Sequence, residues 1–141
     1  MQCVVDASVA AKWFLPELHK DKAEELLRDF LDEKLDLIAP DLIISEVGNI
    51  LWKRSTLRGE ISVTQASRSY ANFLALGLGL QPSSTVAAAA LKLAAEESHP
   101  VYDVLYVALA DRNGCDFVTA DEKLVRKLGA KFPLLRWLGD F

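Results

Sequence analysis

The chain has little of what most catalytic and metal sites are built from. It has two cysteines and two histidines in 141 residues. Cys3 and Cys115 do not make a disulfide framework. Both sit in or beside apolar runs and read as buried thiols. His19 and His99 lack the spacing of zinc ligands and read as surface or packing residues. No Ser-His-Asp or Cys-His arrangement and no glycine-rich phosphate loop is present. No apolar run is long enough to span a bilayer: the longest uncharged one covers roughly residues 73–80. The start, MQCVV, has no basic segment or cleavage site, so a soluble, cytosolic protein without a membrane partner is expected. Excess positive charge is also missing. The net charge of −4 argues against a broad electrostatic footprint for duplex DNA. It leaves room for a nucleic-acid enzyme whose local positive charge comes from metal ions and a few basic side chains.

What is present is a 51% hydrophobic chain of one-domain length, enough for a real core. Charge is uneven. Residues 17–36 carry eight acids and four bases, whereas 123–136 carry five bases and no acid. Either run reads most simply as a solvated face. Linkers, repeats and low-complexity tracts are absent.

Strand-like and helix-like segments alternate. Strands are expected at 2–6, 36–39, 78–81 and 116–119, with a last one within 132–137. Helices are expected at 8–15, 19–33, 41–58, 62–76, from the Ser83–Ser84 cap to about 98, at 102–113 and at 120–128. Gly59, Gly114 and Gly129 mark helix ends. The helix at 102–113 is apolar almost all round, so it is expected to be central. This alternation predicts an α/β fold with a mainly parallel sheet, whose site lies beyond the carboxyl ends of the strands.

Four acids stand at the ends or flanks of apolar runs: Asp6 in CVVDAS, Glu46 in PDLIISEVGNIL, Asp103 in YDVLYVALA and Asp121 in FVTADEKL. A carboxylate near a core needs a cation, a donor or a proton. Taken singly, each has a plain explanation. Asp6 and Asp121 suit helix caps, Asp103 a first-turn acid, and Glu46 a solvated helix position. Taken together, four such acids with no matching cluster of Lys or Arg point to a metal. Mg²⁺ and Mn²⁺ take oxygen ligands and serve phosphodiester hydrolysis. The carboxylates alone suit RNA, DNA or another phosphodiester equally. A receiver domain also gathers acids at strand ends, but it wants an acid pair after the first strand, and CVVDAS offers one. A binding module without hydrolysis would be expected to show a broken acidic set.

The four motifs, in this order and nearly end to end, resemble the PIN domain family, and within it the VapC-type toxin ribonucleases. The resemblance implies an α/β/α sandwich on a five-stranded sheet and Mg²⁺- or Mn²⁺-dependent cleavage of RNA. It also implies a homodimer and a cognate antitoxin that blocks the site. Asp6, Glu46, Asp103 and Asp121 carry over as its acidic quartet. Asp6 and Asp103 would be the direct metal ligands, Asp121 would act through water or a second ion, and Glu46 would orient the attacking water. Ser8, Asn49 and Thr119 would fix the carboxylates by hydrogen bonds. Asp111, Asp116 and Glu122 are expected outside the site. Lys12, Lys123 and Arg126 are expected at its approach, holding RNA. Trp13 and Phe14 suit base stacking or, better, packing. Leu57, Tyr70 and Phe73 suit either a partner groove or core.

Overall fold

Val-rich and Ile-rich runs form the sheet because β-branched side chains pack well on a pleated surface. The structure, a computed structural model, describes residues 1–141. Its strands are β1 (Gln2–Val5), β2 (Asp36–Pro40), β3 (Gly79–Gln81), β4 (Asp116–Thr119) and β5 (Leu135–Trp137). All pairs are parallel, in the order β3-β2-β1-β4-β5. Such strands are covered on both faces, and β1, β2 and β4 are accordingly buried beyond their first residue.

Seven helices connect and flank the strands: α1 (Ala7–Ala10), α2 (Lys20–Leu31), α3 (Leu42–Trp52), α4 (Val63–Ala75), α5 (Ala87–Glu97), α6 (Val101–Asn113) and α7 (Glu122–Leu128). The central role expected of residues 102–113 is met. Helix α6 buries every residue from Val104 to Ala110 and packs on β1, β2 and β4. Gly114 closes it in the left-handed region at φ 60°, where a side chain would be strained. One core runs through the whole chain, with Tyr106 stacked on Phe117 at 5.5 Å between ring centroids. No helix is long and apolar enough to cross a membrane.

Two local expectations need correction. The helix expected over 41–58 is regular only to Trp52. It then widens into a π turn over Lys53–Leu57, and the Arg58 N–H donates to the Lys53 carbonyl. Ser83 and Ser84 do not cap α5. They form a 3-10 turn, and α5 starts at Ala87 without a side-chain cap. Ser83 instead donates through both its N–H and its Oγ to Asp41 Oδ1, and this holds the Asp41 carboxyl below its ordinary range.

Candidate active site

The chain leaves β1 toward β2 and β3 on one side, and later returns to β4 and β5 on the other. The order therefore reverses between β1 and β4, and a crevice opens beyond their carboxyl ends. Asp6 follows β1 directly, and Asp121 stands two residues beyond β4. Helices α3 and α6 add Glu46 and Asp103. All four acids line one cavity of about 240 Å³, together with Ala7, Ser8, Asn49, Ile50 and Tyr106.

Asp6 is the deepest of the four. Its Oδ1 accepts from Ser8 Oγ at 2.5 Å and from the Val9 N–H at 3.2 Å. Its Oδ2 accepts from Thr119 Oγ1 at 2.5 Å, across the β1–β4 boundary. Asp6 is thus the cap of α1 and a wall of the cavity at once. Burial nevertheless outweighs these donors and pushes its carboxyl up to about 6, helped by the charge of Glu46. The Ala120 N–H donates to Ser8 Oγ, and the Asp121 N–H donates to Thr119 Oγ1. The two hydroxyls therefore tie the loop after β4 to Asp6.

Glu46 is half-buried. Burial raises its carboxyl above the usual range, the Tyr106 hydroxyl that donates to Oε1 opposes this, and Asp103 adds to it. Tyr106 is itself buried, and burial and the Glu46 charge both push its phenol far up, so it stays a donor. Asp103 accepts from His99 Nε2 at 2.7 Å. Lys127 Nζ lies 3.0 Å from His99 Nδ1 and also donates to the Ser98 carbonyl. An ammonium has only donors, so Nδ1 accepts and Nε2 carries the hydrogen toward Asp103. Asp121 caps α7 by accepting from the Leu124 N–H.

Each acid is therefore held by a protein donor. As the side chains stand, no three acidic, histidine or cysteine groups converge into one ion's ligand set. The donor chemistry of the cavity fits a hard cation all the same. It offers carboxylate oxygens from four elements, with no thiol or imidazole lining it. Cys3 is remote from this edge, and burial pushes its thiol up to about 12.

Ser8 and Thr119 touch Asp6 as described, whereas Asn49 lines the cavity from an exposed helix position. Asp116 lies at the other end of β4 against Arg136, and Glu122 pairs with Arg126 on the surface of α7. Trp13 is core, its indole N–H donating to the Ala23 carbonyl at 2.8 Å. Phe14 and Tyr70 both pack against the buried Phe73, while Leu57 is exposed.

The basic residues differ from expectation. A second cleft, of about 510 Å³, shares Ser8, Ile50 and Asp121 with the acidic cavity. Lys12 lines it; Lys123 and Arg126 do not, because α7 turns both to its outer face. Lys53, Arg54 and Arg58 stand there instead, on one helix face with Ile50 at i, i+3, i+4 and i+8 spacing. Spacing alone could have found them, since the helix expected over 41–58 puts all three on the face of Ile50. His99 and Tyr106 were also missed. His99 lies one turn before Asp103, and Tyr106 reads as one more apolar core position.

An all-parallel α/β domain with carboxylates gathered at its switch point is the architecture of the PIN domain. The chain belongs to the PIN domain family: the family's sequence profile matches residues 3–129. It is similar to Ribonuclease VapC3 of Pyrobaculum aerophilum, with 34% identity over 137 residues, 96% of this chain and 98% of that one. Among solved structures it resembles PAE2754 from the same organism, at a TM-score of 0.69 and 28% identity, over 99% of this chain and 94% of that one. The fold is also that of Mycobacterium tuberculosis VapC20, a sarcin–ricin loop cleaving toxin, at a TM-score of 0.62, 14% identity and coverage of 84% and 87%. It is likewise that of VapBC2 from Rickettsia felis, solved on a promoter DNA fragment, at 0.63, 13% identity and 97% of both chains.

Proposed function

We propose that this chain is a divalent-cation-dependent endoribonuclease, the toxin of a toxin–antitoxin pair. The observation that carries the reading is the convergence of Asp6, Glu46, Asp103 and Asp121, from four separate elements, on one cavity at the switch point. Similarity to a protein named Ribonuclease VapC3 supports RNA as the substrate. The likeness to VapBC2 supports a cognate antitoxin as a partner. A homodimer, carried over from the family resemblance, is part of the proposal, and sedimentation of the purified chain tests it.

Asp6, Asp103 and Asp121, with Glu46, would hold Mg²⁺ or Mn²⁺. Bound there, such an ion polarises a phosphoryl oxygen of the scissile diester. The remaining work falls to the chain. Ser8 and Thr119 fix both oxygens of Asp6, so its carboxylate enters the site in one orientation. His99 holds one oxygen of Asp103, Oδ2. Glu46 is the general base. Its raised affinity for a proton suits that task, and Tyr106 occupies Oε1, leaving Oε2 for water. The water oxygen forms a bond to phosphorus, its proton passes to Glu46, and one ester P–O bond breaks. The leaving oxygen takes a proton from solvent.

The test is cleavage of a labelled single-stranded RNA with Mg²⁺, with Mn²⁺, with a chelator, and with a folded Asp103→Asn variant. Cleavage that needs the metal and is lost in the variant is expected. Full activity of Asp103→Asn would overturn the assignment.

A further inference from the structure

The cleft beside the acids has the opposite electrical character to the rest of the chain. The whole sequence carries −4, yet Lys12, Lys53, Arg54 and Arg58 all line this one surface, faced by Glu17 and the bordering Asp121. These cations are not equivalent. Arg54 is only 17% exposed and is claimed twice, by Glu17 and by Glu60 at 2.7 Å. Its charge is spent inside the protein, where it ties the π turn to the loop after α1. Lys12 stands 4.0 Å from the same Glu17. Lys53 enters no ion pair, and Arg58 reaches Glu60 only at 3.7 Å from a 62% exposed position. Two cations are thus free to meet a ligand, on a wall that Arg54 braces.

We infer that Lys53 and Arg58, with Lys12 beside them, form a track for the backbone phosphates of a single-stranded RNA running from the acidic cavity across Ser8 and Asp121. The inference rests on the nuclease reading above and says where the rest of the substrate lies. Continuity is the first support, since the two hollows share Ser8, Ile50 and Asp121. The lining is the second. Apart from Glu17 and Asp121, its side chains are cationic, small or aliphatic, with no aromatic ring to stack a base. A surface of that kind grips the backbone and does not read sequence. Trp13, the nearest aromatic in sequence to Lys12, is committed to the core. This wall therefore supplies affinity and register, and sequence choice is made elsewhere.

The track is tested by RNA binding in an Asp103→Asn background, measured from low to high salt on two RNAs of unrelated sequence. Lys53→Gln with Arg58→Gln is compared with a charge-matched control, Lys123→Gln with Arg126→Gln on the outer face of α7. Each phosphate contact on a single strand contributes about 0.7 to the slope of log affinity against log salt. The cleft variant is expected to lose about 1.4 from that slope, equally on both RNAs, while the control keeps the parent slope. Equal slopes in cleft variant and parent would overturn the track. So would a loss in the control of the same size, a loss confined to one RNA, or a loss seen only with an acidic protein partner. Parent protein that holds no RNA at any salt would also overturn it. Failure of the nuclease reading shows separately, as RNA cleavage that persists in the Asp103→Asn background or never occurs in the unsubstituted chain.

Discussion

Asp6 makes the metal-free protein more stable in mild acid than at neutral pH. Its carboxyl moves from 3.8 to about 6 on folding, through burial. Below pH 3.8 it is protonated in both states. Between there and about 6 the folded chain keeps a proton that the unfolded chain has released. The folded state then binds more protons, so stability falls as pH rises through this window and stays low above it. A gap of about two pH units corresponds to about 3 kcal/mol, or about 10 °C in melting temperature for a chain this size. Glu46 is raised too and acts in the same direction. Asp41 is lowered, so its contribution is lost only below the ordinary carboxylate range, outside the window. The assay is urea unfolding in chelator from pH 4 to 8, for the parent and for Asp6→Asn. The stability difference between the two should change by about 3 kcal/mol between the ends of the window, with Asn the more favoured at neutral pH. Mg²⁺ should stabilise the parent increasingly as pH rises, because the cation needs the ionised form. A stability difference that stays constant with pH would refute the reasoning.

Two further outcomes follow from the donors around the acids. Tyr106→Phe removes the hydroxyl from a half-buried carboxylate, so a loss of about 2 kcal/mol at pH 8, shrinking toward pH 5, is expected in the same unfolding assay. His99→Ala should leave stability within about 1 kcal/mol, yet weaken Mg²⁺ binding or cleavage about 10- to 100-fold, read by metal titration. Unchanged metal affinity and turnover in that variant would remove His99 from the site.

Period and punctuation made most of the fold legible. The alternating runs located all five strands, and the all-round apolar pattern of residues 102–113 correctly marked the central helix. The acids were legible because each interrupts or ends an apolar run. That each could be a cap and still face the cavity was not legible, because capping and site placement are the same geometry at Asp6 and Asp121. The donors were harder to see. Tyr106 is coloured by its ring, and nothing local says that its hydroxyl meets Glu46 sixty residues away in sequence. The basic wall was placed only in part: Lys12 lines the cleft, but charge counts along the chain favour α7, whereas the helical spacing of Ile50, Lys53, Arg54 and Arg58 decides which other cations face it.

That widened turn frees recognition from exact residue count. A π turn holds one residue more than the α-helical turn it replaces, and a single deletion is the ordinary way to return it to regular helix. Such a deletion within Lys53–Leu57 would leave Ile43, Val47 and Leu51 packed as they are, since all precede it. Because the π turn takes up its extra residue locally, the segment from Arg58 onward would keep its place on the helix. Arg58 would stay about one turn beyond Arg54, so the cleft and the acidic cavity would both stay whole. Between its two arginines the chain can therefore lose a codon, within Ser55–Leu57, and keep both its grip and its chemistry.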